Sequence, residues 1–301
     1  MLGRRQIREK VVESLYSYYQ NPIRFEMVEK NLFSQINKIY NLYIYTINFM
    51  VGLKSLTEDQ IEIGKNKYIK TDENENPNQK FVRNQILIQL ENNEERRSFT
   101  DKNKYLLWDR NDEILVKTFQ RIKAGKRYQD YMQDEEISFV DDQKFIGKLF
   151  LRYVAENTDL HDRFEEKEMS WADDFHIANS MIQKTIGFMK EDEASHTLIK
   201  MLKDDEDEDF ARKLLRSALN NWEQSEKKLQ ERLVNWELDR ISLIDRIVLI
   251  AAITELDNFP LTASRIIINE YIDISKVYGT EKSHIFINDV LDKYTKDTNR
   301  V

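Results

Sequence analysis

Apolar residues recur along this chain mostly at intervals of three and four, the spacing that lines one face of an α-helix. In "RRQIREKVVESLYSYYQ", residues 4–20, Ile7, Val11, Leu15 and Tyr18 fall on one stripe, and Asn21-Pro22 ends the run. From Arg24 to about Tyr68 the same spacing continues through Phe25, Val28, Phe33, Ile36, Ile39, Tyr40, Tyr43, Ile47 and Met50. That predicts one long helix or two in succession. "TDENENPNQK", Thr71–Lys80, is polar and contains a proline, so it reads as a loop. "FVRNQILIQLEN", "DEILVKTFQRIKAGKRYQDYM", "DDQKFIGKLFLRYVAEN" and "ADDFHIANSMIQKTIGFMK" each predict a further helix.

The acidic run "DDEDED", Asp204–Asp209, leads into a predicted helix from Phe210 to about Leu233. "SLIDRIVLIAAITEL" is nearly all apolar on one side and predicts a central core helix; "SRIIINEYIDISKVYG" predicts a helix closed by Gly279. In the last stretch, "YGTEKSHIFINDVLDKY", Thr280 is a suitable N-cap with Glu281 first in the helix, and Phe286, Val290 and Tyr294 share a face. No segment carries the period-two alternation of a strand. The expected fold class is all-α.

Composition agrees. Seven Gly and three Pro among 301 residues are too few for the many turns of a sandwich or barrel. A net charge of −8 argues against a protein that coats nucleic acid non-specifically, while leaving room for a local basic patch. The absence of Cys excludes disulfides, thiolate metal sites and a cysteine nucleophile. No apolar run is long enough for a membrane span, and "MLGRRQIREK" lacks the apolar core of a signal peptide, so a cytoplasmic location is expected.

Two places concentrate binding chemistry. The first helix has a second stripe, Arg5, Arg8, Val12 and Tyr16, with Arg4 beside it. Arginine forks match phosphate and a tyrosine offers a stacking surface to a base; the other reading is that the arginines lie over the core edge and Tyr16 is buried. Lys282, Ser283 and His284 crowd the first turn of the last helix, where free N–H groups suit an anion, or are simply solvated.

These two ends resemble one family. "GRRQIREKVVESLYSYYQ" is similar to the opening of the transcription antitermination factor NusB, an arginine-rich helix running into a Leu-Tyr pair, here Leu15-Tyr16. Leu238–Leu256 and Arg265–Lys293 follow the family order: a core helix ending Glu-Leu, an Asn-Glu helix, a Gly-x-Glu-x-Ser turn and a Phe-x-Asn-x-Val-Leu-Asp helix. The resemblance covers residues 1–20 and roughly 206–297. It implies a helical, non-enzymatic RNA-binding fold that recognises boxA-type single-stranded RNA in nascent ribosomal RNA transcripts. It also implies work with NusE, a small-subunit ribosomal protein, in an antitermination complex on RNA polymerase. Carried over, the RNA-binding residues are Arg4, Arg5, Arg8, Tyr16, Lys282, Ser283, His284, Phe286 and Asn288. No cofactor or metal is implied. Lys282 stands where the family often has an acid, Asp289 replaces a usual glycine, and Gln6 interrupts the arginines.

The resemblance divides the chain into 1–20, the first helix of the core; 21–200, an enlarged or inserted helical region; and 201–301, the C-terminal core. The middle region has no counterpart in the family. A protein-interaction adaptor that kept the fold without RNA binding is therefore the alternative function. Asp173-x-x-His176 and Glu193-x-x-His196 sit too close together for the two antiparallel helices of a di-iron bundle. His161-Asp162 lacks the further histidines of a metal phosphohydrolase, and no phosphate-binding glycine loop is present. In Lys117–Met132, five basic residues stand among Phe119, Tyr128 and Tyr131; this is either an auxiliary RNA-binding patch or a solvated helix end.

Overall fold

The computed structural model describes residues 2–69, 71–134, 138–191, 198–202, 205–233 and 238–300. In chain order the helices are α1 Arg4–Gln20, α2 Phe25–Lys65, α3 Asp72–Glu75, α4 Gln85–Asn92, α5 Glu94–Lys102, α6 Glu113–Ala124, α7 Lys126–Gln133 and α8 Phe139–Phe150. They continue with α9 Thr158–Lys167, α10 Trp171–Phe188, α11 Asp205–Asn220, α12 Trp222–Gln230, α13 Leu243–Asn258, α14 Ser264–Tyr278 and α15 Ser283–Asp297. No strand occurs among the described residues. The all-α expectation holds.

Several boundaries differ from the expected ones for local reasons. The run Asp112–Met132 is two helices, because Gly125 takes an extended conformation (φ −75°, ψ 133°) between α6 and α7. The segment from Phe210 to Leu233 likewise divides at Asn221, and α11 begins earlier, at Asp205, with four acids in its first turn. The Thr71–Lys80 loop contains the one-turn α3, capped by Thr71. Helices α5 and α9 were not expected; each starts at an Asn cap, Asn93 and Asn157. The π-helical turn Leu151–Ala155 continues α8.

The chain forms two compact units: Met1–Ile36 with Leu202–Val301, and Asn37–Met201. Helix α2 contributes Phe25–Ile36 to the first and the rest of its length to the second.

The first unit is built around α13. Ile247 to Leu256 are all buried, as befits a helix surrounded by others on every side. Helices α1, α11, α12, α14 and α15 pack on it. Ile7, Val11 and Leu15 of α1 are fully buried, as the stripe predicted, whereas Tyr18 is only partly so. The start of α2 is fastened to α11 by Glu29, which accepts from Arg212 and, at 2.7 Å, from Arg216 Nε.

In the second unit, Tyr45, Trp108, Phe164 and Trp171 form a ring cluster, with Tyr45 and Trp108 stacked at 4.5 Å. A second cluster joins Phe81, Phe119, Tyr128 and Phe145. Asn48 donates to Thr100 Oγ1 and the Leu106 carbonyl, and Arg96 donates to Asn48 Oδ1, so these buried polar groups are satisfied.

Candidate nucleic-acid interface

Helix α1 presents its arginines in two directions. Arg8 is 2% exposed and forms a fork with Glu255 of α13, Nε to Oε2 at 2.8 Å and Nη2 to Oε1 at 2.5 Å. Tyr271 Oη donates to the same carboxylate at 3.0 Å. Burial opposes the Arg8 charge, but hydrogen bonding and attraction from Glu255 more than offset it, and its pKa is raised. Burial, reinforced by Glu255, likewise raises Tyr271 well above the ordinary tyrosine value. Arg8 therefore does not fit the surface phosphate role expected of it: its guanidinium is enclosed and its donors are committed to a structural ion pair.

Arg4 and Arg5 lie outside. Arg5 donates to both carboxylate oxygens of Glu270, each at 3.0 Å, and pairs with Asp273 at 2.8 Å. The Glu270 hydrogen bond is the main cause of its raised pKa. Arg4 Nε is 3.6 Å from Asp207, and its guanidinium rests 5.1 Å from the Phe210 ring centre. Both arginines keep side-chain exposure above 40% and so remain reachable by a competing anion.

Further along α1, Tyr16 is 39% exposed and accepts a hydrogen bond from Gln20 Nε2. It borders a groove of about 440 Å³ that is also lined by Val12, Glu13, Leu243, Ile244 and Tyr278. Val12, on the stripe with Tyr16, is itself buried. Tyr278 Oη donates to Glu13 Oε1 at 2.8 Å and ties the end of α14 to α1. Tyr278, Leu243 and Ile244 were not picked out from sequence. Their one sequence signal is the tyrosine directly before Gly279.

The turn after α14 also departs from expectation. Helix α15 begins at Ser283 with Lys282 as its N-cap, so Thr280 is not the cap and Glu281 is not helical. The Ser283 hydroxyl accepts from the Thr280 N–H at 2.8 Å and donates to Asp245 Oδ2 at 2.9 Å, which closes the turn inward. Ser283 is buried, with its hydroxyl turned to Asp245. A Cβ on Gly279 would come within 2.6 Å of the Ser275 carbonyl oxygen and 2.7 Å of Ser283 Oγ, so the close approach requires glycine.

Lys282 and Asn288 are exposed, and His284 and Phe286 are half-buried. Lys282 and His284 form no ion pair with a described residue. Asp289 is exposed beside Asn288.

The other sequence candidates resolve simply. Among the described residues no three His, Asp or Glu side chains are grouped to hold a metal. His161 packs its ring on Phe175 at 3.9 Å and meets the Ala155 carbonyl, while Asp173 and His176 are exposed. Glu193 and His196 lie outside the described residues, as does Asp204 of the acidic run. No helix among the described residues is long and apolar enough to cross a membrane.

The model of the NusB family matches residues 175–296, from within α10 to the last turn of α15; α1 lies outside the matched span. The transcription antitermination protein NusB of Salinibacter ruber is 34% identical over 108 residues, 35% of this chain and 68% of that protein. That of Bacillus mycoides is 35% identical over 94 residues, 31% of this chain and 72% of its own length. The Listeria welshimeri protein is 32% identical over 93 residues, covering 31% and 73%. No solved structure matches the chain.

Proposed function

The chain belongs to the NusB family, and from that premise we propose that it acts in transcription antitermination by binding boxA-type single-stranded RNA in nascent ribosomal RNA transcripts. It does so with a NusE-type small-subunit ribosomal protein, in a complex on RNA polymerase in the cytoplasm. The role is scaffolding: no bond is made or broken. The observation that carries this reading is the groove beside Tyr16, where this exposed side chain of the helix that also bears Arg4 and Arg5 adjoins an apolar lining of Val12, Leu243 and Ile244. Stacking supplies sequence-tolerant affinity and the arginines hold the phosphates. Lys282, His284, Phe286 and Asn288 complete the surface. Arg8 holds α1 in place from beneath, and Ser283 does the same for the turn.

The arginines are not idle in the absence of RNA. A phosphate must displace Glu270 and Asp273 from Arg5, and Asp207 from Arg4. Binding by this protein alone is therefore weakened by exchange, and a partner protein makes up the affinity. The same pairing favours the second reading, a protein-interaction adaptor that does not bind RNA.

Fluorescence anisotropy of a boxA-type RNA, with a scrambled RNA as control and with or without the NusE-type protein, separates the two. The proposed function predicts sequence-preferring binding that tightens with the partner. Arg4→Glu with Arg5→Glu is expected to weaken it at least tenfold and to lower the salt slope by about 1.4. An adaptor would capture the ribosomal protein and show no RNA preference.

A further inference from the structure

In the second unit, a groove of about 390 Å³ opens between the end of α2, the segment around α3, and the α6–α7 corner. Among its lining are Gln60, Lys67, Asn74, Phe119, Lys123 and Tyr128, and no Asp or Glu lines it. That is a marked bias in a chain with 54 acidic against 46 basic residues. Neither lysine is ion-paired with a described residue, and both are exposed. On the same two helices Arg121, Lys126 and Arg127 are also exposed and form no ion pair with a described residue. This contrasts with Arg4 and Arg5 of the first unit, whose charges are already matched.

We propose that this groove is a second binding site for single-stranded RNA, built in the part of the second unit that lies outside the span matched by the family. The groove supplies each class of contact that single strands use. Lys67 and Lys123 face phosphate, with the other cations of α6 and α7 adding to the positive field. Gln60 offers a donor and an acceptor and Asn74 its Nδ2 donor, its Oδ1 accepting from the Thr71 N–H, a pattern that pairs with exposed base edges. The half-buried Tyr128 ring, backed by Phe81, Phe119 and Phe145, gives a rigid wall against which a base can stack. The backbone fixes the corner: Gly125 turns the chain between α6 and α7, and Asn78 Nδ2 donates to the Met132 carbonyl at 2.8 Å across the groove's edge. An acidic peptide would match the lysines but leave the two amides and the ring wall without a specific counterpart.

The inference rests on the reading of the protein as an RNA binder, yet the two can fail separately. An oligouridine containing 4-thiouridine is cross-linked to the full chain and the adducts are mapped by mass spectrometry. Its affinity is then measured for the wild type, for Lys67→Glu with Lys123→Glu, and for Arg4→Glu with Arg5→Glu. The expected result is an adduct on the peptide that carries Phe119 or Tyr128. The groove variant should lose about tenfold in affinity and about 1.4 in salt slope, and keep its preference for boxA-type over scrambled RNA. Circular dichroism checks that the variant is folded; if it is not, Lys67→Gln with Lys123→Gln takes its place.

Adducts confined to α1 and α15, with affinity unchanged in the groove variant, would overturn the proposal and leave the first site standing. Groove adducts with none in the first unit would uphold it and remove the Tyr16 site. Polyglutamate binding that is lost in the groove variant, with no oligouridine binding, would overturn it in favour of an acidic protein partner.

Discussion

Arg8 and Arg5 are three residues apart on one helix, carry the same group, and end in opposite environments. What separates them is Glu255, 247 positions away in sequence, whose buried carboxylate accepts both forks of Arg8. Spacing placed the two arginines on a common stripe, but could not show that α13 would bring an acid beneath one of them. The family resemblance carried the same blind spot, since a basic helix reads alike whether its charges face water or a carboxylate. The inward bond of Ser283 was hidden for the same reason: its partner, Asp245, is 38 residues away. Removing Arg8 leaves the enclosed Glu255 without its ion-pair partner. Arg8→Ala is therefore expected to cost about 3–5 kcal/mol of stability, measured by urea unfolding, whereas Arg4→Ala should change it by less than about 1 kcal/mol.

At the scale of elements, periodicity was a sound guide to helices and a poor one to their ends. Helix α1 was legible because Ile7, Val11 and Leu15 keep one stripe and Asn21-Pro22 stops it. The break at Gly125 was not, since the apolar spacing runs on through it, and α5 and α9 are short helices made mainly of polar residues. The docking of α2 on α11 belongs here as well. Glu29 has its pKa lowered, chiefly by the hydrogen bond from Arg216, with attraction from Arg212 and Arg216 adding to it. A carboxyl group depressed in the folded state stabilises the fold above its ordinary unfolded value and loses that contribution as pH falls through the folded value. Stability should thus decline on acidification from about pH 4.3 downward. Glu29→Gln should flatten that part of the profile, which acid titration followed by far-UV circular dichroism would record. An unchanged acid limb would mean that the clamp contributes nothing.

For the whole molecule, the two compact units divide the tryptophans conveniently. Trp108 and Trp171 lie in the ring cluster of the second unit, and Trp222 sits against Tyr19 in the first, at 5.0 Å between ring centres. With Trp236 and the other unit's tryptophans changed to Phe, fluorescence would follow each unit alone. Arg8→Ala should then move the urea midpoint reported by Trp222 and leave that reported by Trp108 and Trp171 in place. Coincident shifts would show that the units unfold as one. The second unit was the least legible part of the sequence. Most of its helices could be read from spacing, and Lys117–Met132 stood out as an RNA-binding patch or a solvated helix end, but the groove became visible only once Lys67 and Lys123, far apart in the chain, were brought together.

The first unit is assembled from the two ends of the described chain, Met1–Ile36 and Leu202–Val301, with the second unit emerging between them. On a translating ribosome, α1 therefore leaves the exit tunnel long before α13 exists to receive it, and Arg8 must wait for Glu255. The intervening unit has all its own partners by then and is free to fold first. The surface proposed to bind transcripts in the first unit is assembled last, so a chain whose synthesis is cut short would carry a finished second unit and an unfinished first one.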